Sequence, residues 1–344
     1  MRVLVFGAGA IGSLLGHRLA SVGHEVTLVA RREYVSAVRT QGLCLEEGQR
    51  SSTVHPLAVE NLAEVDPGQR IWDLVLLTVK VYDTPEAAQA LAPLLAPSVP
   101  VLIVQNGVGG EELARQVLGD SPFLSGVATL SVSVLAPGRV RLETTRGGLS
   151  LSPTQEGQDV EHWATVFAGT GMRTATYRDY RAMKWSKLLL NMQANALPAI
   201  LDMAPGAVLA DPALFALERT AFLEALAVIK TLRLRPVSLP GYPVPLLVWA
   251  MRTWPVSLVR ALLQRLVASG RGDKKPSLHM DLARGRAHSE VLYLNGAVVT
   301  HAHRAGLSVP VNQFLLDTML GIATGTLAWD TFRGQPNRVI AMLH

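Results

Sequence analysis

The stretch VLVFGAGAIGSLLG, Val3 to Gly16, places four apolar residues directly before Gly7 and then runs through Gly9 and Gly12 into an apolar, helix-forming segment. Each glycine has a physical task in a strand, turn and helix that receive a dinucleotide. Gly7 permits the tight turn, Gly9 removes the side chain where backbone meets pyrophosphate, and Gly12 lets helix and strand pack closely. The helix N-terminus adds a partial positive charge that favours phosphate. A bare GxGxxG is weak evidence. This one follows an apolar strand, opens a helix and is followed by a second strand, HEVTLVA at His24 to Ala30. Gly7, Ala8, Gly9, Ala10, Ile11 and Gly12 are therefore read as a cofactor-binding turn.

Working outward, the end of the second strand is where an NAD-binding protein of this type carries an acidic side chain for the ribose 2′-hydroxyl. Here the chain has Ala30, Arg31 and Arg32. A guanidinium matches a 2′-phosphate bidentately and can stack on adenine, so Arg31 favours NADPH/NADP over NAD. Arg32 either assists or faces solvent, and Glu33 keeps NAD as the lesser alternative. Two further strand ends carry candidates, Lys80 in LLTVKVYD and Asn106 in VLIVQNGVGG, because ligands of open α/β sheets gather beyond the carboxyl ends of strands. Lys80 either contacts the adenosine phosphate or is an exposed strand-terminal lysine. Asn106 and Gly107 either form only a turn or stand near the nicotinamide.

The full chain has 344 residues, more than one hydrophobic core usually organises, so two domains are expected. Up to about Tyr177, short β-rich runs alternate with helical patterns, the signature of a parallel sheet with crossover helices. The runs LSGVATLSVSVL, RVRLET and GLSLS are expected as hairpins at the far edge of that sheet. From about Arg178 the pattern is helical almost throughout. The expected division is residues 1–176, a Rossmann-type α/β dinucleotide-binding domain, and residues 177–344, an all-helical substrate-binding domain with an apolar insertion around 235–270.

Hydrophobic residues make up 49% and charged residues 17%, a composition that argues against disorder. The single cysteine, Cys44, excludes an internal disulfide and a thiolate zinc cluster, and is expected as a buried structural thiol in a reducing compartment. No metal is expected. Met1 leads directly into the first strand without a basic leader or cleavage site, so a cytoplasmic location is expected. The apolar insertion is interrupted by Pro243, Pro245, Arg252 and Pro255 and is read as soluble helix, not a membrane span. The net charge of +5 is scattered, without the basic runs and interleaved aromatics of a nucleic-acid binder; an anionic cofactor and substrate account for it equally well.

In the second half, WSKLLLNMQANALPAI sets Lys187, Asn191 and Asn195 at i, i+4 and i+8, which predicts one polar stripe on an apolar helix. A solvated face would look similar, but the flanking leucines favour the polar wall of a cleft. Hydride addition to a ketone builds negative charge on oxygen, and an ammonium in reach can stabilise and then protonate it. Downstream, PSLHMDLARGR and SEVLYLNG supply Ser277, Asp281 and Glu290. A glutamate beside Lys187 would keep the ammonium charged; Asp281 is read as a cap or surface charge.

Together these features resemble the ketopantoate reductase (2-dehydropantoate 2-reductase) family over nearly the whole length. The resemblance rests on GAGAIG, VK at Lys80, QNG at Asn106, KLLLNMQAN, PSLHMDLARGR, SEVLYLNG and AGLSVPVN, in that order and spacing. It implies hydride transfer from NADPH to the ketone of 2-dehydropantoate, giving pantoate for pantothenate and coenzyme A synthesis. It further implies Lys187 as general acid and Glu290 as the carboxylate orienting substrate and lysine. Asn191, Asn195 and Ser277 fall on substrate-binding positions, with Ser277 near the substrate carboxylate, and Asn106 and Glu290 also face substrate. Gly7 to Gly12, Arg31, Lys80 and Asn106 fall on cofactor positions.

Where the family commonly has TEID, this chain has Ser289, Glu290, Val291 and Leu292, so leucine replaces an aspartate. One extra residue separates Asp281 from Glu290, and the apolar insertion could reshape a lid, widen the pocket or build a homodimer contact. Three functions follow: reduction of 2-dehydropantoate; reduction of a bulkier 2-oxo acid by a paralogue; and an NADP-sensing regulator without turnover, disfavoured by intact Lys187 and Glu290. The partner in the first two is a small anionic 2-oxo acid.

Overall fold

The computed structural model describes residues 1–270, 276–285 and 288–343. Contacts gather the chain into two compact units, one of 1–105, 109–183 and 239–242, the other of 106–108, 184–238 and 243–344.

The first unit carries twelve strands: β1 Arg2–Phe6, β2 Glu25–Val29, β3 Leu43–Glu47, β4 Arg50–Val54, β5 Leu57–Val59, β6 Leu74–Leu77, β7 Val101–Val104, β8 Phe123–Ala128, β9 Ser131–Ala136, β10 Arg139–Thr144, β11 Leu149–Pro153 and β12 Thr174–Thr176. Its helices are α1 Ala10–Ser21, α2 Arg32–Gln41, α3 Thr84–Leu91, α4 Gly110–Leu118 and α5 Val160–Gly169. Eight strands form one sheet in the order β12-β11-β8-β7-β6-β1-β2-β5. From β5 to β8 every pairing is parallel, and β11 then runs antiparallel to β8. This is the doubly wound dinucleotide-binding order, with the reversal between β1 and β6. Residues of β1 alternate between two cores: Val3 and Val5 pack with Leu15, Leu28, Val35 and Phe167, and Leu4 with Val75, Leu77 and Phe123. A strand buried on both faces has to be apolar throughout, which explains the run VLV in β1 and LVLL in β6. Each fully buried Phe123 or Phe167 contributes about 1.5–3 kcal/mol.

The hairpins expected at the far edge of this sheet are divided differently. β8 and β11 do join the main sheet, but β9 and β10 pair with β3 and β4 in a second sheet ordered β4-β3-β10-β9. That sheet packs Leu45, Val140 and Leu142 against Leu14 of α1. Glu46 on β3 accepts hydrogen bonds from Arg141 at 2.6 and 2.9 Å and from Arg139 at 2.6 Å, locking the parallel β3–β10 register. Cys44 is half-buried in β3, not fully buried as expected, with its Sγ 3.2 Å from Ser51 Oγ.

The helices that continue the chain are α6 Tyr180–Met192, which begins in the first unit, then α7 Ala196–Leu201, α8 Pro205–Ala210, α9 Pro212–Thr231, α10 Val244–Thr253, α11 Val256–Gly270, α12 Ser277–Ala283, α13 Asn295–Arg304, α14 Pro310–Thr324 and α15 Pro336–Leu343. The core of the second unit forms around α9. Asp211 caps it by accepting from Ala213 and Leu214 N–H, Pro212 starts it, and Leu214, Phe215, Ala221, Phe222, Ala225 and Val228 are buried along it. Helices α8, α10, α11, α13, α14 and α15 all touch α9. The apolar insertion forms α10 and α11, with Trp249 edge-on to Trp254 at 5.5 Å. Among the described residues no helix is long and apolar enough to cross a membrane.

Candidate active site

In the first unit the glycine turn lies at the β1–β6 reversal. Gly7 has φ +106°, and a Cβ there would stand 2.7 Å from Val79 N. A Cβ on Gly12 would stand 2.3 Å from Gly7 O and 2.5 Å from Thr78 Oγ1, so helix and turn touch backbone to backbone. Thr78 Oγ1 donates to Gly7 O at 2.8 Å, tying the end of β6 to the turn. A Cβ on Gly9, the residue before α1, would project into open space, so the packing of the protein itself does not require glycine there. Ala8 is buried, whereas Ala10 and Ile11 are half-buried at the start of α1. Arg31 is exposed at the end of β2 and precedes α2. Lys80 is half-buried just past β6, in a loop braced by Gln105, whose Nε2 donates to Val79 O at 2.9 Å and Thr84 Oγ1 at 2.8 Å. Beneath the turn, Ser13 and Tyr34 share a short hydrogen bond, and burial pushes the Tyr34 phenol up to about 12.

The second unit gathers the amides. Lys187 is half-buried on α6, and Asn191 lies one turn later. Asn191 Nδ2 donates to Asn106 Oδ1 at 3.0 Å. The single helical stripe expected for Lys187, Asn191 and Asn195 is interrupted: α6 ends at Met192, and Ala194 takes a left-handed φ of +48° before α7 begins. That conformation costs an L-residue about 1–2 kcal/mol. Asn195 therefore lies beyond the break, and its side chain substitutes for lost helix. Its Nδ2 donates to Asn191 O at 2.9 Å, the carbonyl that an uninterrupted helix would give to the Asn195 backbone N–H. Asn195 Oδ1 is buried without a hydrogen-bond partner. Ala194 N–H is held at 2.9 Å by Glu218 Oε2 of α9.

The Asn106–Val108 loop also docks on the Glu290 turn. Val108 N–H donates to Tyr293 O at 2.9 Å, and Gly107, at φ +86°, would place a Cβ only 2.6 Å from that same oxygen. Glu290 itself is buried at the start of the short 3₁₀ turn Glu290–Tyr293, capped by Ser289 Oγ, which accepts from Val291 N–H. Just behind it, Asn295 Nδ2 donates to Asn312 Oδ1 at 3.0 Å, and Asn312 Nδ2 donates to Glu224 at 2.6 Å and Ala221 O at 2.9 Å. These bonds join the Glu290 turn to α9. Thus Asn106, Asn191 and Asn195 form one hydrogen-bonded chain, with the Glu290 turn attached through Tyr293.

Ser277 is exposed at the first position of α12, and no described hydrogen bond joins it to that chain. Its helix is positioned by His279, whose Nε2 lies 2.6 Å from Asp202 Oδ1 at the end of α7. Asp281, expected as a cap or surface charge, is buried within α12. Arg286, at the end of PSLHMDLARGR, lies outside the described residues. Glu218 and Glu224 escaped sequence reading because a lone glutamate on an apolar helix carries no local signal. Asn295 and Asn312 lie in the quoted SEVLYLNG and AGLSVPVN runs, without a role assigned there.

Residues 3–156 match the model of ketopantoate reductase PanE/ApbA, and residues 179–323 match that of its C-terminal domain. The chain belongs to the ketopantoate reductase family. A 2-dehydropantoate 2-reductase of Pyrococcus horikoshii is 29% identical over 319 residues, covering 92% of this chain and 95% of that one. Its counterpart in Halobacterium salinarum is 30% identical over 325 residues, covering 92% and 97%. The crystal structure of a PanE/ApbA family ketopantoate reductase from Ralstonia eutropha is similar with a TM-score of 0.78 at 32% identity, covering 94% and 99%. D-mandelate dehydrogenase, solved with NADH and anilino(oxo)acetate, shares the fold of this ketopantoate reductase family member with a TM-score of 0.78 at 21% identity, again covering 94% and 99%.

Proposed function

We propose that this family member is a cytoplasmic oxidoreductase that reduces the ketone of 2-dehydropantoate with NADPH, giving pantoate for pantothenate and coenzyme A synthesis. The observation that carries the reading is the chain of amides Asn106, Asn191 and Asn195 with Lys187 one turn before Asn191 on the same helix. The relatives named above add the substrate.

The first unit has the shape that the cofactor requires. Gly7 and Gly12 cannot carry side chains without moving backbone, and the space before Gly9 is open at a helix N-terminus, where a pyrophosphate is stabilised. Backbone from Gly7 to Gly12 would hold the pyrophosphate, Arg31 the 2′-phosphate, and Lys80 and Asn106 further parts of the cofactor. When bound, NADPH supplies the hydride. As negative charge develops on the ketone oxygen, Lys187 Nζ donates a proton to it, which is general acid catalysis by an ammonium. Glu290 keeps that ammonium charged and orients the substrate. Asn106, Asn191, Asn195 and Ser277 hold the substrate's carboxylate and hydroxyl oxygens, and the buried, unpartnered Asn195 Oδ1 is suited to accept from a hydroxyl.

A second reading, reduction of a bulkier 2-oxo acid, is favoured by Leu292, which stands exposed in the turn that begins with Glu290. An apolar side chain there exchanges a polar contact for apolar area. Initial rates with purified protein, NADPH or NADH, and a panel from 2-dehydropantoate to 2-oxo acids with larger apolar side chains separate the two. The highest kcat/KM on 2-dehydropantoate with NADPH is expected. Activity confined to the larger acids would replace the first reading with the second, and cofactor binding without turnover on any acid would remove both.

A further inference from the structure

The break between α6 and α7 is required by its own sequence, because Pro198 has no N–H to give Ala194 O and its ring would meet that carbonyl in a continuous helix, but the conformation of the break is held from outside it. Ala194 is fully buried in a left-handed conformation that an L-residue adopts only under constraint. Its N–H points to the carboxylate of Glu218, 2.9 Å away, and Glu218 is itself buried in the apolar stripe of α9 between Leu217 and Ala221. A buried carboxylate is costly to keep and makes stronger hydrogen bonds than a neutral acceptor. We infer that Glu218 is a positioning residue: by holding Ala194 N–H it fixes the turn that aims the Asn195 side chain at Asn191 O.

The geometry makes the dependence specific. With Ala194 held, the Asn195 amide reaches back to Asn191 O, while the Asn191 side chain, set by α6, holds Asn106. Without the Glu218 carboxylate Ala194 N–H loses its partner, Ala194 relaxes out of the left-handed region, and the Asn195 side chain leaves Asn191 O. The Asn106, Asn191 and Asn195 amides would then no longer share one set of bonds. Glu218 thus acts on substrate recognition through Ala194 without approaching substrate, and the cofactor turn in the first unit is built from separate residues. The inference rests on the reading of Asn191 and Asn195 as substrate-side groups, so its test has one readout of geometry and one of activity.

Three variants decide it in the full-length chain: Glu218→Leu, which removes the acceptor; Glu218→Asp, which keeps the charge but withdraws it by one methylene; and Glu218→Leu combined with Ala194→Gly, because glycine enters the left-handed region without strain. Hydrogen exchange followed by mass spectrometry should show the peptide around 190–198 exchanging faster in both single variants, with peptides of β1 and α1 unchanged. Against the best 2-oxo acid of the wild type, Glu218→Leu should lose roughly tenfold or more in kcat/KM, with the NADPH dissociation constant within about twofold, and the glycine double variant should recover several-fold of that loss. If Glu218→Leu fails to fold, the aspartate variant carries both readouts. Unchanged exchange at 190–198, or wild-type kcat/KM in a folded variant, overturns the inference, as does a double variant that recovers nothing. A wild type that reduces no 2-oxo acid sinks the functional reading instead, while exchange at Ala194 still decides what Glu218 holds.

Discussion

The glycine turn of the first unit and the α6–α7 break of the second both bend backbone sharply where chemistry is expected, but they do so by opposite means. The turn at Gly7, Gly9 and Gly12 is local. Its conformation and its close approach to Thr78 follow from absent side chains, and substitution at Gly7 or Gly12 collides with backbone within 3 Å. The conformation of the break at Ala194 is held from a distance, by a glutamate 24 positions later in the chain, although Pro198 requires a break nearby. A motif made of absences can be read from a line of sequence. A conformation held by a remote partner cannot, because nothing beside Ala194 in the sequence points to Glu218.

If the two regions divide the labour between cofactor and substrate, variants should separate along the same line. The largest effect is expected for Lys187→Ala. Loss of the general acid should lower kcat for the 2-oxo acid by about two to four orders of magnitude, measured at saturating substrate, while fluorescence titration shows NADPH binding unchanged. An unaltered kcat would take Lys187 out of the proton transfer and leave the second unit as a binding surface only.

Next in size is Gly107→Ala, in the loop that joins Asn106 to the Glu290 turn. The new Cβ would stand 2.6 Å from Tyr293 O and 2.8 Å from Tyr293 Cβ, in a backbone with φ +86°. Backbone must move, at a cost of about 1–3 kcal/mol, and Asn106 moves with it. We expect kcat/KM to fall by about tenfold to a hundredfold in a protein that still folds, as checked by circular dichroism beside the kinetics. Wild-type kinetics here would mean that the docking of the loop on the turn is incidental.

These sites also show how far the sequence could be read. The eight-stranded sheet, its glycine turn and the helical second unit follow from apolar runs, their alternation with helices and punctuation by glycine and proline. The second sheet does not, because β9 and β10 alternate in the same way whichever strands they join, and the partner of Val140 is Leu45, far back in the chain. Lys187, Asn191 and Asn195 were legible as a polar set from helical spacing, yet their arrangement was not: periodicity assumes a continuous helix, whereas α6 ends at Met192 and Glu218 holds the turn that follows. Ser277 carries the opposite lesson. Its motif is local and readable, but the described hydrogen bonds leave it apart from the amide chain.

A smaller effect, confined to the first unit, is expected for Arg31→Ala. An exposed guanidinium at the end of β2 that meets a 2′-phosphate makes charge-assisted hydrogen bonds of about 1.5–3 kcal/mol. The dissociation constant for NADPH should therefore rise roughly tenfold to a hundredfold, with NADH nearly unaffected. Equal losses for both cofactors would move Arg31 off the phosphate and return Glu33 to consideration as a ribose ligand.

The smallest effect should appear in stability alone. His17, on the face of α1 that meets the second sheet, is buried with Nε2 3.1 Å from Ser52 O and 3.2 Å from Ser52 Oγ. An Nε2–H donating to the carbonyl leaves Nδ1 to take up the proton, and Nδ1 is buried with no hydrogen-bond partner. Burial therefore holds the His17 imidazolium below its ordinary pKa of 6.5, with Arg18 adding to the effect and the Ser52 carbonyl and Glu47 opposing it. Because the unfolded chain binds this proton more readily than the folded one, stability is intact above about pH 6.5 and declines as pH falls from there through the lower, folded-state value. His17→Gln keeps a donor for Ser52 O and removes the titration. Between about pH 7 and pH 5.5 the Tm of the wild type should fall by on the order of 1–2 °C more than that of the variant, with kcat and both cofactor affinities equal in the two proteins at pH 7.5. His24, whose pKa is also lowered by burial, is present in both and cancels in the difference. Parallel Tm curves would show that protonation at His17 is accommodated in the folded state. A change in cofactor affinity would instead show that α1 carries strain from the second sheet to the glycine turn, and the local character assigned to that turn would have to be given up.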